Sequence, residues 1–118
     1  MSAAIGVDVV DVTRFSSRLK QWPRLRRVLF TDRELAVTQP ERLAARFAAK
    51  EAAFKALGDG WPHVGYHDVE VVASDAAPAL RLSGRAAALA GNRTLAVSLS
   101  HDGDIAMAGV VAFGGRDR

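Results

Sequence analysis

Hydrophobic and polar residues alternate over residues 4–12. Ile5, Val7 and Val9 share one face, and Gly6, Asp8 and Val10 the other, which is the period of a strand. Thr13 is placed to cap a helix beginning at Arg14, and Trp22-Pro23 breaks it. Phe30, Thr31 and Glu34 form a helix-start pattern: Thr31 the cap, Glu34 its reciprocal partner, Phe30 the staple. Residues 69–72, 80–82, 95–100 and 105–113 again alternate and predict four more strands. A turn at 75–78 separates the first two of these. An alanine-rich helix, capped by Ser83 and ended by Gly91, follows residue 82. A turn at 101–104 makes a hairpin of the last two strands, and the tail from 114 is predicted to fray.

The longest pattern is helical and covers residues 40–57. Pro40 suits its first turn and Gly58 the position just past its end. At about 100° per residue, Leu43, Phe47, Phe54 and Leu57 form the core-facing stripe. Ala44 and Ala48 line one edge, where small side chains let another element or a ligand come close. Glu51 and Lys55 sit on that edge one turn apart. Such a pair reads either as a salt bridge on a solvated helix or as chemistry at the lip of a buried face. Lys50 falls inside the apolar stripe, so it either snorkels out or meets an anion. Strands in hairpins with grouped helices predict an α+β fold. An antiparallel sheet packs against this helix in a single domain spanning residues 1–118.

At 49% hydrophobic and 25% charged residues, the chain has the composition of a folded domain. It has no cysteine, which removes disulfides and thiolate metal sites and fits a reducing cytoplasm. The start, MSAAIGVDVVD, lacks a cationic segment followed by a long apolar run, so no signal peptide is expected. No apolar run approaches the roughly 18 residues of a membrane span. The net charge is only +3, but it is uneven. Between Asp11 and Asp32 there is no acidic residue, while Arg14, Arg18, Lys20, Arg24, Arg26 and Arg27 lie there. This stretch is either a solvated helical face or a surface for an anionic partner.

P-loop, dinucleotide, HExxH and nucleophile-elbow motifs are absent. The residues left to carry chemistry are Asp8, Lys50, Glu51, Lys55 and His101. Asp8 is unusual within a valine-rich strand. It reads equally as a carboxylate on a solvated sheet face or as a ligand, with Gly6 making room beside it. Two carboxylates without thiolates favour a hard cation such as magnesium. Lysines beside it would complete a site for a diphosphate.

The segments IGVDVVDVTRF, FTDRE, RFAAKEAAFKALG, HDVEV and VSLSH stand in the order seen in holo-acyl-carrier-protein synthases, the small 4′-phosphopantetheinyl transferases. The chain resembles that family from residue 5 to about 111. The most specific parts are the GxD of the first strand and the KEAxxK of the long helix. The resemblance implies transfer of the phosphopantetheine arm of coenzyme A onto a serine of an acyl carrier protein, releasing adenosine 3′,5′-bisphosphate. It implies Mg2+ on Asp8 and Glu51, and Lys55 on the coenzyme A phosphates. Arg46, Lys50 and His101 then lie near coenzyme A. Arg14, with Arg18 one turn on, docks the acidic carrier protein. The family is typically a homotrimer with sites between subunits. Many members have Gly-Lys-Pro where this chain has Ala76-Ala77-Pro78.

Two other classes compete with this reading. One is a degenerate relative that binds coenzyme A without transfer. The other is a small basic nucleic-acid-binding module using Trp22, Phe30 and Trp61 for stacking. No recognised nucleic-acid motif is present, so neither nucleic acid nor membrane is an expected partner.

Overall fold

The structure, a computed structural model, describes residues 3–58, 64–73 and 77–115. Trp61, His63, the 75–76 part of the expected turn and the end of the tail lie outside them. In chain order the elements are β1 (Ala3–Asp11), α1 (Val12–Gln21), α2 (Leu25–Leu29), α3 (Pro40–Leu57), β2 (Val69–Val72), β3 (Ala79–Leu82), α4 (Gly84–Ala90), β4 (Arg93–Asp102) and β5 (Ile105–Gly114). The expected α+β class holds, but the strands divide between two antiparallel sheets. One is β1-β5-β4 and the other β2-β3.

Helix α3 spans the larger sheet. Alanine is the best helix former, and Pro40 and Gly58 bound the helix as expected, Gly58 taking φ 80°. The buried surface is far wider than the expected stripe. Ala44, Ala48, Ala49, Ala52, Ala53 and Ala56 are all essentially inaccessible. Phe47, expected in the core stripe, is only half-buried and stacks on Phe15 at 4.9 Å. Across from these alanines, β5 presents Ala106, Ala108, Val110 and Ala112, and β1 presents Gly6 and Val10. A Cβ on Gly6 would run into the Ala52 carbonyl and lie 2.9 Å from the Ala56 nitrogen. The room left by Gly6 is therefore filled by the backbone of α3.

The outer face of the larger sheet is apolar and uncovered in the single chain. Ile5, Val7 and Val9 are 69, 50 and 55% exposed, and Ile105, Met107, Val111 and Phe113 point the same way. Register makes the patch continuous: Ile5 pairs with Val111 and Val9 with Met107.

Four local details differ from expectation. Asp11, not Thr13, caps α1, accepting from the Arg14 amide at 2.8 Å. Thr13 is drawn away by the hairpin, its hydroxyl donating to Asp104 Oδ1 at 2.6 Å. The Thr31–Glu34 box forms in both directions, at 2.9 and 3.3 Å, but it opens a short 3₁₀ turn, Glu34–Ala36. Ser83 precedes α4 without a side-chain capping bond. The β4–β5 hairpin is tighter than expected. Asp102 pairs with Ile105, and Gly103 at φ 57° opens a two-residue loop.

Candidate active site

Asp8 lies on the inward face of β1 with Gly6 and Val10. Because Gly6 lets β1 settle against α3 at Ala52, Asp8 comes to the side of the helix that carries Glu51. Asp8 and Glu51 line one cavity of about 310 Å³ with Asp11, Arg14, Phe15, Arg18 and Phe47; the Asp11 carboxylate caps α1. Four expected site residues, three from β1 and α1 and one from α3, therefore share one hollow. A fifth is next to it: Lys55 Nζ donates to the Val7 carbonyl at 2.8 Å and reaches Asp8 Oδ1 at 3.3 Å. Lys55 is exposed and keeps a third N–H. The salt bridge read between Glu51 and Lys55 is not formed: Lys55 pairs with Asp8 instead.

Glu51 has a partner that the sequence did not reveal. The Tyr66 hydroxyl donates to Glu51 Oε1 at 2.8 Å. Burial, that hydrogen bond and the Glu51 and Asp8 charges push the Tyr66 phenol well above its ordinary range. It therefore remains a donor. Its ring stacks against Phe47 at 5.8 Å and tilts on Phe54 at 5.3 Å. Nothing local in HVGYHD separates this tyrosine from its loop neighbours. His67, in the same loop, donates to the Arg27 carbonyl at 2.6 Å and ties α2 to the loop.

Lys50 requires a correction. It is fully buried, and its ammonium is saturated from within the chain. Nζ lies 2.8 Å from Glu34 Oε1 and donates to the carbonyls of Tyr66 at 2.8 Å and Val69 at 2.6 Å. An ammonium has three N–H donors, so none remains for a coenzyme A phosphate. The anion it meets is Glu34, which also accepts from the Thr31 and Val71 amides, the latter at 2.8 Å. Burial pulls Lys50 below its ordinary value, and Glu34 opposes that pull.

Arg46 and His101 lie apart from the carboxylates. They share a second cavity of about 320 Å³ with Arg42, Val71, Pro78, Leu99 and Ser100. One Arg46 nitrogen donates to the Glu34 carbonyl at 3.2 Å. Burial lowers its pKa while Glu34 raises it and Arg42 lowers it again. His101 is exposed at the end of β4. Two guanidinia and an imidazole at an open hollow suit an anionic ligand. Of the aromatics considered for base stacking, Phe30 is buried in the core, which removes it from such a role.

Among the described residues there is no cluster of three or more His, Cys, Asp or Glu side chains. A two-carboxylate donor set is nonetheless what a hard cation takes when water and substrate phosphates complete its shell.

The profile of the 4′-phosphopantetheinyl transferase superfamily matches residues 4–108. The chain belongs to that superfamily. The holo-[acyl-carrier-protein] synthase of Frankia alni is 50% identical over 112 residues, 92% of this chain and 94% of the relative. Two solved members of the superfamily have the same fold. Helicobacter pylori holo-[acyl-carrier-protein] synthase in complex with coenzyme A has a TM-score of 0.84 at 28% identity, over 92% of this chain and 99% of that one. The ACPS–CoA complex of Chronobacterium ammoniagenes has a TM-score of 0.86 at 30% identity, over 98% of this chain and all of that one. No helix among the described residues of this phosphopantetheinyl transferase is long and apolar enough to cross a membrane.

Proposed function

We propose that the hollow between β1, α1 and α3 is the reaction centre of a cytoplasmic, magnesium-dependent holo-acyl-carrier-protein synthase. The enzyme transfers 4′-phosphopantetheine from coenzyme A to a serine of apo acyl carrier protein and releases adenosine 3′,5′-bisphosphate. The observation that carries this reading is the meeting of Asp8, Glu51, Arg14 and Arg18 at one cavity. Asp8 and Glu51 would hold the magnesium, which when bound offsets the charge of the diphosphate. Glu51, directly or through an intervening water, takes the proton of the attacking serine hydroxyl. Lys55 neutralises the α-phosphate oxygen as it leaves. Arg14 and Arg18, exposed on α1 beside this cavity, draw in the acidic carrier protein and raise its association rate.

Arg46 and His101 then bind the nucleotide end of coenzyme A. Their cavity is separate from the carboxylates within one chain. The uncovered apolar sheet face is of the kind that marks an association surface. We therefore read the working form as a homotrimer in which the two hollows come from neighbouring copies. Apo acyl carrier protein incubated with this chain and coenzyme A should gain the mass of phosphopantetheine with magnesium and not with a chelator. Unchanged mass across fatty-acid and polyketide carrier proteins would overturn the activity. Equal conversion in chelator would overturn only the metal.

A further inference from the structure

Tyr66 touches four residues of α3, and they occupy successive turns of one face: Phe47, Lys50, Glu51 and Phe54. Each holds a different part of it. Phe47 and Phe54 fix the ring, Lys50 Nζ fixes the main-chain carbonyl at 2.8 Å, and Glu51 receives the hydroxyl at 2.8 Å. Lys50 is in turn fixed by the buried Glu34 at 2.8 Å. The phenol is thus a fixed post standing beside the Glu51 carboxylate. Among the described residues, Glu51 Oε2 has no hydrogen-bond partner, and Glu51 lines the cavity it shares with Asp8.

We propose that Tyr66 is a positioning residue: its hydroxyl holds Oε1 of Glu51 so that Oε2 is presented to the cation shared with Asp8. This rests on the reading of Asp8 and Glu51 as the metal pair. A free glutamate samples many rotamers and must be ordered when a cation binds. A carboxylate already held by a second-layer donor has been ordered in advance, and removal of such donors typically costs about 10–100-fold in metal affinity or activity.

The test is Tyr66→Phe, which keeps the ring and removes only the hydroxyl. Magnesium is titrated calorimetrically into the folded oligomer with coenzyme A present, and kcat and KM are measured alongside. The expected result is a rise of about 10–100-fold both in the magnesium Kd and in the magnesium giving half-maximal turnover. The KM for coenzyme A should stay level, and kcat should recover at saturating magnesium. In a Glu51→Gln background, the same substitution should add nothing to the magnesium Kd. Wild-type magnesium affinity in Tyr66→Phe would overturn the proposal, as would a thermal melt showing that loss of the hydroxyl unfolds the chain. Wild-type enzyme that binds no magnesium would overturn the metal pair itself, a distinct outcome.

Discussion

Lys50→Met separates a structural lysine from a ligand-binding one. Methionine keeps most of the volume, so the change is chiefly the loss of the ammonium. Glu34, fully buried, loses its counter-charge at 2.8 Å, and the Tyr66 and Val69 carbonyls lose a donor. Removing one partner of a buried ion pair costs about 3–5 kcal/mol, because the other charge remains in a low-dielectric interior. A domain has only about 5–15 kcal/mol in total. At roughly 4 °C per kcal/mol, the melting midpoint should fall by about 12–20 °C. Circular dichroism melts give the stability, and initial rates well below the new midpoint give the KM for coenzyme A, expected to stay within about twofold. Pairing it with Glu34→Leu should restore only part of the loss. That second change removes the lone carboxylate but leaves the Thr31 and Val71 amides, both of which donate to Glu34, without an acceptor. If Lys50→Met lost less than about 1 kcal/mol, the value usual for an exposed site, while its KM for coenzyme A rose tenfold, Lys50 would belong to the phosphate contact and the ion-pair argument would fail.

Asp8→Asn and Glu51→Gln should each reduce transfer by orders of magnitude with little change in melting; near-normal turnover at saturating magnesium would remove that residue from the metal pair. Gly6→Ala should cost about 1–3 kcal/mol or more, since its methyl meets the Ala52 carbonyl rather than a movable side chain; a neutral melt would show that β1 and α3 are less closely docked. Lys55→Ala, at an exposed position, should slow the chemical step and leave stability within about 1 kcal/mol; the reverse pattern would make its contact with Asp8 structural. Arg14→Glu should raise the KM for carrier protein, less so as salt shortens screening below about 10 Å, and leave coenzyme A binding alone; equal, salt-independent losses for both would place Arg14 in the fold.

What the sequence disclosed was local, and what it withheld was tertiary. Pro40 and Gly58 bound α3 because helix ends obey short-range sterics. Alternation located all five strands, but a period of two does not say which face is covered. On β1 the covered face is the one with Gly6, Asp8 and Val10, while Ile5, Val7 and Val9 look outward. The pairing of Asp8 with Glu51 depended on recognising the family, since only the packing of Gly6 on Ala52 joins them in space. Lys50 and Glu34 each carried half of one signal. A lysine in an apolar stripe needs an anion, and Glu34 was fully explained by its capping box, so neither pointed to the other. At the start of α1, Asp11 and Thr13 are both good caps, and a hairpin many residues away decided between them. Tyr66 had no local mark, because its importance lies in four contacts made one helical turn after another.

The alanine-lined contact between α3 and the sheet has a thermodynamic consequence. Large aliphatic side chains supply most of the apolar area a domain can remove from water. On β1 and β5 most of those side chains are on the outside, and mainly small ones fill the inside. If other copies cover that outer face, part of the free energy of folding is supplied by mass action. Dilution would then act as a denaturant, with a melting midpoint that climbs with protein concentration in the way that linked association and folding require.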